Sequence, residues 1–382
     1  MRILYFGTYS KGEGYPRNKV IIEGLRQNGV EVIECHAPLW KGAGEKIAGI
    51  RMGKLLLSIL PRLFSAYLIL LRKFIQTGQY DLIIVGYSGH IDIFIARFLT
   101  FFRKSPLVFD AFLSLYDTGV LDRKVVRKDS LKARALWWID KLSCSISDLV
   151  LLDTKEHIRF FVETFGLPTD KFCRVFAGAE WGLLKSGDNK EDIKNKGFEV
   201  LFFGTFIPLH GIDTIIKAAS ILKAYDGIHF TLIGKGQLYP ETLQLVEKLK
   251  IKNLALIDRW VSASELTGYV KRASVCLGIF GTTNKAKRVI PYKVYGCLSM
   301  GKAVITGNTK AAKELLKDSK TAILVPVGDP SSLAKAILRL KGDYALIEKI
   351  GNNALRLFRE RCSPEMLGRE LKTHLERLIV KK

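Results

Sequence analysis

From Leu266 to Lys313 the chain carries nine lysines and arginines (Lys271, Arg272, Lys285, Lys287, Arg288, Lys293, Lys302, Lys310 and Lys313) and neither aspartate nor glutamate. A solvated surface normally interleaves both signs, so a one-sign field of this density points to a place where an anion is held. Its centre, SVCLGIFGTTNKAKRVIPYKVYGCLSMGKAVIT, runs from Ser274 to Thr306. The reading is an apolar strand, a Gly/Thr/Asn loop with Lys285, Lys287 and Arg288, a short helix carrying Lys293 after Pro291, and a second apolar strand. Ligands of α/β folds gather at the C-terminal ends of strands. The arrangement therefore predicts a phosphate or diphosphate site at a strand-to-helix junction.

Other loops share that placement. Gly204 and Gly211 bracket GTFIPLHGID, which follows an apolar strand and precedes a helix; backbone N–H groups and the helix dipole there favour an anion, with Thr205 and His210 beside them. Gly234-Lys235-Gly236 is a shorter loop of the same kind, and Arg259 follows the next strand. Near the N-terminus, GTYSKGEGYP holds Gly7, Gly12 and Gly14 ahead of a helix starting at about Arg17. This is not the G-x-G-x-x-G that a dinucleotide cofactor needs straight after the strand, which argues against a nicotinamide-dependent dehydrogenase. His90 lies in GYSGHID after the third strand, Asp110 ends the fourth, and Asp153-Thr154 after the fifth resembles a helix N-cap. Asp110 and then His90 are the candidates for a group near a reacting centre.

The elements that position these residues alternate strand and helix with the rhythm of a doubly wound sheet, twice over. Apolar runs at Leu82–Val85, Leu107–Asp110 and Leu149–Leu152 read as buried parallel strands. Residues 178–197 are polar and aperiodic and interrupt the pattern. The expected organisation is an N-terminal α/β domain over 1–180, a linker over 181–197, and a C-terminal α/β domain over 198–382 that includes a basic helical tail. A chain of 382 residues suits two domains.

The net charge of +23 implies polyanionic company. No RNA-recognition signature, helix-turn-helix pattern or zinc finger accompanies it, so nucleic acid is not the expected partner. Six cysteines at non-ligand spacings read as buried thiols in a reducing compartment. Met1-Arg2 leads directly into a strand, so no signal peptide is expected. The longest apolar stretch, Leu55 to Leu71, is broken by Pro61-Arg62 and flanked by Arg51, Lys54, Arg72 and Lys73. It reads as a helix of the α/β domain, with a membrane-facing role as the functional alternative, joined by Phe101-Phe102-Arg103-Lys104.

With these motifs in place, the chain resembles the family 4 glycosyltransferases along nearly its whole length. YFGTYSKGEGYPRNKVIIEGL resembles the family's acceptor-side glycine loop, with Gly7, Gly14 and Arg17 as its positions here. FFGTFIPLHGIDTIIKAA resembles the donor-side opening, and TLIGKG, the region of Arg259, VIPYKVYGCLSMGKAVITG and TAILVPVGDPSSLAKAI follow in the family's order. The resemblance implies the GT-B fold: α/β, two facing Rossmann-like domains with parallel sheets. It also implies a retaining transfer from a nucleotide-diphosphate sugar to a glycan or lipid-linked acceptor, without cofactor or metal. The expected location is the cytoplasm, with an anionic membrane surface as a further expected partner. Two departures stand out. Arg288 and Gly296 occupy the positions of the family's two glutamates, and Thr205 and His210 those of its usual arginine and lysine. Lys285, Lys287, Arg288 and Lys293 are then expected to supply the charge that grips the diphosphate. The alternative is a catalytically impaired GT-B protein acting as a binding or scaffolding subunit.

Overall fold

The computed structural model describes residues 1–11, 16–39, 55–101, 104–180 and 197–380, with side chains from Leu60 onward in the helix that begins at Leu55. Gly12, Gly14, Arg51, Lys54, Phe102, Arg103 and residues 181–196 of the expected linker lie outside them. The chain divides into two units. One comprises Met1–Val120, Lys124–Phe176 and Pro364–Lys382; the other comprises Leu121–Arg123 and Ala177–Ser363.

The first unit is built on a parallel six-stranded sheet, order β2-β1-β3-β4-β5-β6. Its strands are β1 (Arg2–Gly7), β2 (Glu31–His36), β3 (Leu82–Val85), β4 (Leu107–Asp110), β5 (Leu149–Leu152) and β6 (Phe172–Arg174). The helices are α1 (Arg17–Gln27), α2 (Leu55–Gln76), α3 (Asp92–Phe101), α4 (Leu131–Ser145) and α5 (Lys155–Phe165). β3, β4 and β5 are buried at every residue, because helices cover both faces of the sheet and alternation has no use there. The chain moves from β1 to β2 in one direction and from β2 through β6 in the other. Right-handed crossovers then put α1 on one face and α2 to α5 on the opposite face. Thr154 caps α5 by accepting from the His157 N–H at 3.0 Å, as Asp153-Thr154 suggested.

The second unit repeats the plan in the order β12-β11-β10-β7-β8-β9. Its strands are β7 (Phe198–Phe203), β8 (Ile228–Ile233), β9 (Leu254–Ile257), β10 (Val275–Leu277), β11 (Val304–Gly307) and β12 (Ile323–Val325). Its helices are α6 (Ile212–Ile221), α7 (Tyr239–Lys248), α8 (Ala263–Arg272), α9 (Tyr292–Ser299), α10 (Lys310–Lys313), α11 (Pro330–Gly342) and α12 (Tyr344–Arg361). The core runs through Val200, Phe202, Phe206, Ile215, Phe230, Leu232, Leu277 and Ile305.

The basic tail differs from the expectation. It is two helices, and the last, α13 (Pro364–Val380), belongs to the first unit, where it packs on α1. The reason is a pair of glycines. A Cβ on Gly24 would come within 2.1 Å of the Pro364 carbonyl oxygen, and one on Gly368 within 2.0 Å of the backbone of Gly24. With no side chain on either, the two backbones approach closely. Asn28 and Lys372 stitch the crossing, Asn28 Nδ2 donating to the Glu365 carbonyl at 2.8 Å and Lys372 Nζ to the Asn28 carbonyl at 2.9 Å. Arg174 adds an ion pair to Glu370 at 2.9 Å.

Candidate anion-binding site

The second unit gathers several of the residues singled out above at the C-terminal ends of β7 and β8. The turn after β7 begins at Gly204, whose φ of +139° is open to glycine and strained for other residues. A Cβ there would come within 2.9 Å of Lys293 Nζ and 3.3 Å of His210 Cε1. Gly234, at φ +149°, lies directly alongside, since its Cβ would meet the Gly204 carbonyl oxygen at 1.9 Å. Gly236 would likewise strike the backbone of Phe206 at 2.2 Å. The two loops are laced together by Gly204 N–H to Ile233 O and Phe206 N–H to Lys235 O, both at 2.9 Å. Gly234 and Gly236 therefore serve close backbone approach, and Gly204 leaves room for the Lys293 side chain.

Lys293 sits at the second position of α9, two residues beyond the cap Pro291. Its side chain is buried, its ammonium lies 3.7 Å from the centroid of the Phe202 ring, and Nζ has no hydrogen-bond partner among the described residues. Burial and the missing hydrogen bonds disfavour charge. Burial pulls its pKa well below the lysine value of 10.5. The first turn of a helix carries the positive end of the macrodipole, so a cation there is opposed where an anion would be favoured. The Phe202 ring face gives back part of the lost solvation. Lys293 Nζ, with unspent donors beside two glycine loops, is a group suited to meeting an anion.

His210 is buried against the same opening. Its Nδ1 donates to the Thr205 carbonyl, which can only accept, so in the neutral ring Nε2 is the lone-pair nitrogen. Burial first, and the Lys293 charge second, hold His210 well below the usual histidine value. Gly211, at φ +65°, passes the chain into α6 and lies so near Gly281 N and Phe280 C that a Cβ would meet each at 2.5 Å.

The basic loop divides. Lys285 is buried, Arg288 half-buried and Lys287 exposed, with Arg288 N–H donating to the Lys285 carbonyl at 2.9 Å. Arg259 directs both guanidinium nitrogens to Glu265, a pairing that raises the one group's pKa and lowers the other's. At Gly296 in α9, where the resemblance places a glutamate, a Cβ would meet nothing within 4 Å.

In the first unit the candidates have structural partners. Asp110 is fully buried and accepts from Arg17 Nε at 3.0 Å and Arg17 Nη2 at 2.9 Å, while Arg17 Nη1 donates to the Val175 and Phe176 carbonyls at 2.7 and 2.9 Å. Arg17 thus ties the start of α1 to the end of β4 and the chain after β6. Neither Asp110, expected near the reacting centre, nor Arg17, expected on the acceptor side, is presented to solvent. His90 is also buried, with Nε2 3.2 Å from the Leu113 carbonyl and 3.4 Å from Asp140, against the Phe109 ring. Gly7 has φ +133°, and a Cβ on it would strike Asp92 at 2.5 Å. Asp92 was missed by the sequence reading. Buried at the start of α3, it accepts from Thr8 N–H at 2.7 Å and from the Tyr67 hydroxyl at 2.8 Å, so it orders the turn after β1. Its sequence signal was an acidic residue in the first turn of a helix directly after His90.

Residues 197–343 match the family described as glycosyl transferases group 1. An uncharacterized glycosyltransferase of Methanocaldococcus jannaschii is 27% identical over 173 residues, 45% of this chain and 46% of the relative. A D-inositol 3-phosphate glycosyltransferase of Thermomonospora curvata is 22% identical over 231 residues, 55% of this chain and 52% of the relative. The matched regions thus span about half the length of these relatives. Among solved structures, Anabaena HepE in complex with UDP superposes with a TM-score of 0.69 at 16% identity, covering 99% of this chain and 100% of its own. The chain is a homologue of glycosyltransferases that carries a glycosyl transferases group 1 domain over residues 197–343 and has the α/β fold of the GT-B class.

Proposed function

We propose that this protein is a retaining glycosyltransferase of the family 4 type that moves a sugar from a nucleotide-diphosphate donor to a glycan or lipid-linked acceptor near a membrane. One observation carries the reading: the buried Lys293 Nζ, without a hydrogen-bond partner among the described residues, in the opening left by Gly204. The donor's diphosphate is the anion that this group would meet. UDP bound by Anabaena HepE supports a nucleotide donor, and the homologous glycosyltransferases support the reaction class.

The chemistry follows from charge. As the glycosidic bond breaks, negative charge collects on the departing diphosphate and the sugar becomes oxocarbenium-like. Lys293 is already desolvated, so its interaction with that growing charge is not diluted by water. Lys285 and Arg288, on the preceding loop, add positive potential. The neutral His210 ring is fixed in orientation by its bond to Thr205 and offers Nε2 toward a protonated group of the donor. In this reading the protein's cations, with no resident metal or cofactor, neutralise the leaving group. The first unit supplies the acceptor side.

Calorimetric titration with a panel of nucleoside diphosphates and their sugars, followed by a product assay, tests the proposal. Binding weakened about 10- to 100-fold by Lys293→Met, together with turnover in the unmodified protein, is expected. No binding by any of them overturns it. Gly296 favours a second reading, a binding subunit of reduced activity, and nucleotide binding without turnover would select it.

A further inference from the structure

The side of the first unit that carries α2, α3 and α4 is unusual in what it shows to solvent. On α2 the exposed apolar residues, among those described, are Leu60, Phe64, Leu68, Ile69, Leu71 and Ile75. All but Ile69 recur at intervals of three or four, which is one face of a helix. On α3 they are Ile91 just before it, Phe94, Phe98 and Phe101, again on one face. On α4 they are Leu131, Trp138 and Leu142. Phe64, Phe98 and Phe101 are each about two-thirds or more exposed, at 67%, 68% and 72%. Single exposed apolar residues need no explanation, whereas three aligned stripes do.

The helices lie side by side. Tyr67 of α2 donates to Asp92 of α3 at 2.8 Å. Arg97 of α3 donates to the Ile146 carbonyl at the end of α4 at 2.8 Å, and Ser143 of α4 donates to the His90 carbonyl at 3.1 Å. The stripes therefore form one surface.

Charge identifies what covers it. The three helices contain two carboxylates, Asp92 and Asp140, and both are buried. Their exposed charged residues, among those described, are Arg62, Arg72, Lys73, Lys132 and Arg134, all positive. A protein partner or a second copy of this chain would bring mixed charges and gain nothing from so uniform a sign. Exposed phenylalanine, leucine and tryptophan among arginines and lysines match the boundary of a bilayer with anionic headgroups. No described helix is long and apolar enough to cross a membrane, so the contact is interfacial.

We infer that α2, α3 and α4 together form a docking face for an anionic lipid bilayer. The inference rests on the proposed membrane-proximal acceptor and specifies the surface that would serve it. The face is joined to the acceptor-side turn by one carboxylate, since Asp92 accepts from Tyr67 and from Thr8. Docking thus fixes the turn after β1 relative to the lipid surface.

The test is co-sedimentation of the full chain with phosphatidylcholine vesicles, with and without phosphatidylglycerol, at low and high salt. Binding to the phosphatidylglycerol vesicles at low salt is expected. The double variant Phe64→Glu with Phe98→Glu should reduce it by about tenfold or more, given the apolar area of two phenyl rings. Arg62→Glu with Arg134→Glu should remove the preference for anionic lipid. Leu243→Glu, at an exposed site of the second unit, should change nothing. All these positions are exposed, and unchanged thermal midpoints will show that the variants fold. Absence of vesicle binding, or binding untouched by the double phenylalanine variant, overturns the inference. So does a dimer in solution that the same variant converts to a monomer, which would make the face a self-association surface. A nucleoside diphosphate that still raises the thermal midpoint of a non-binding protein would leave the donor reading intact, so the two fail separately.

Discussion

The side chain that Gly204 lacks would stand 2.9 Å from the ammonium of Lys293. The glycine and the lysine are 89 positions apart, and each explains the other. The opening exists because residue 204 has no Cβ, and in the proposed reading the lysine is buried there to meet the donor's diphosphate. Gly204→Ala is expected to cost about 1–3 kcal/mol through its φ of +139° alone, since the lysine end can swing aside. It should also weaken nucleoside diphosphate binding by about tenfold or more by displacing Nζ. Thermal melts with and without UDP measure both. Full retention of the UDP-induced shift would count against the site.

Lys293→Met should move stability and binding in opposite directions. Methionine fills the same channel without a buried, uncompensated charge, so the ligand-free protein becomes more stable. A charged hydrogen bond is worth about 1.5–3 kcal/mol, so diphosphate affinity should fall by about 10- to 100-fold. A lysine with a purely structural role would lose stability on this change and leave affinity alone.

The same residue sets a pH dependence. The folded-state pKa of Lys293 lies below its value of 10.5, so as pH rises toward 10.5 the folded state gives up its proton before the unfolded chain does. The unfolded state then binds more protons, and stability increases with pH across that window. His210 contributes in the same sense below 6.5. Compared with Lys293→Met, the ligand-free protein should gain stability as pH is raised, and differential scanning at several pH values reads this. An incoming diphosphate restores the ammonium, so binding takes up protons and weakens toward alkaline pH. Titration in buffers of different ionisation enthalpy detects the uptake.

Most strands of the two sheets were legible as apolar runs, the three-residue β10 and β12 included because Val275–Phe280 and Ala322–Val325 extend them. β6 was not, since Phe172–Arg174 is three residues at a sheet edge and carries too little pattern. The proposed anion site shows in the sequence as a basic stretch, but one dimension cannot say which lysine turns inward. Lys285 and Lys293 are buried while Lys287 is exposed, and Arg259 is taken by Glu265. Phe202 was hidden because an aromatic residue in a strand is ordinarily core. The position of α13 depends on Gly24 meeting Gly368, a contact between residues 344 apart that no local pattern encodes.

Asp110→Asn will show whether that residue is structural. Arg17 and Asp110 form a buried pair, and removing the charge of one leaves the other uncompensated at a cost of about 3–5 kcal/mol. Chemical denaturation of the first unit should record that loss. A variant of undiminished stability with abolished transfer would instead return Asp110 to the reacting centre.

Gly296 bears on how active the protein is. It lies within α9, and a Cβ there meets nothing within 4 Å, so the helix gains nothing in packing from its absence. Gly296→Ala should therefore stabilise the ligand-free protein by about 0.5–1 kcal/mol through helix propensity. A position that sacrifices stability without a packing reason is one where a ligand or an altered activity sets the residue. Gly296→Glu restores the carboxylate that the resemblance implies, in space that accepts it. If the missing glutamate limits ribose recognition, this variant should bind UDP more tightly and turn over faster than the parent. If Gly296 instead makes room for a bulkier donor, the same variant should bind more weakly while keeping its stability. Affinity and thermal midpoint measured on both variants decide between a weakened site and a reshaped one.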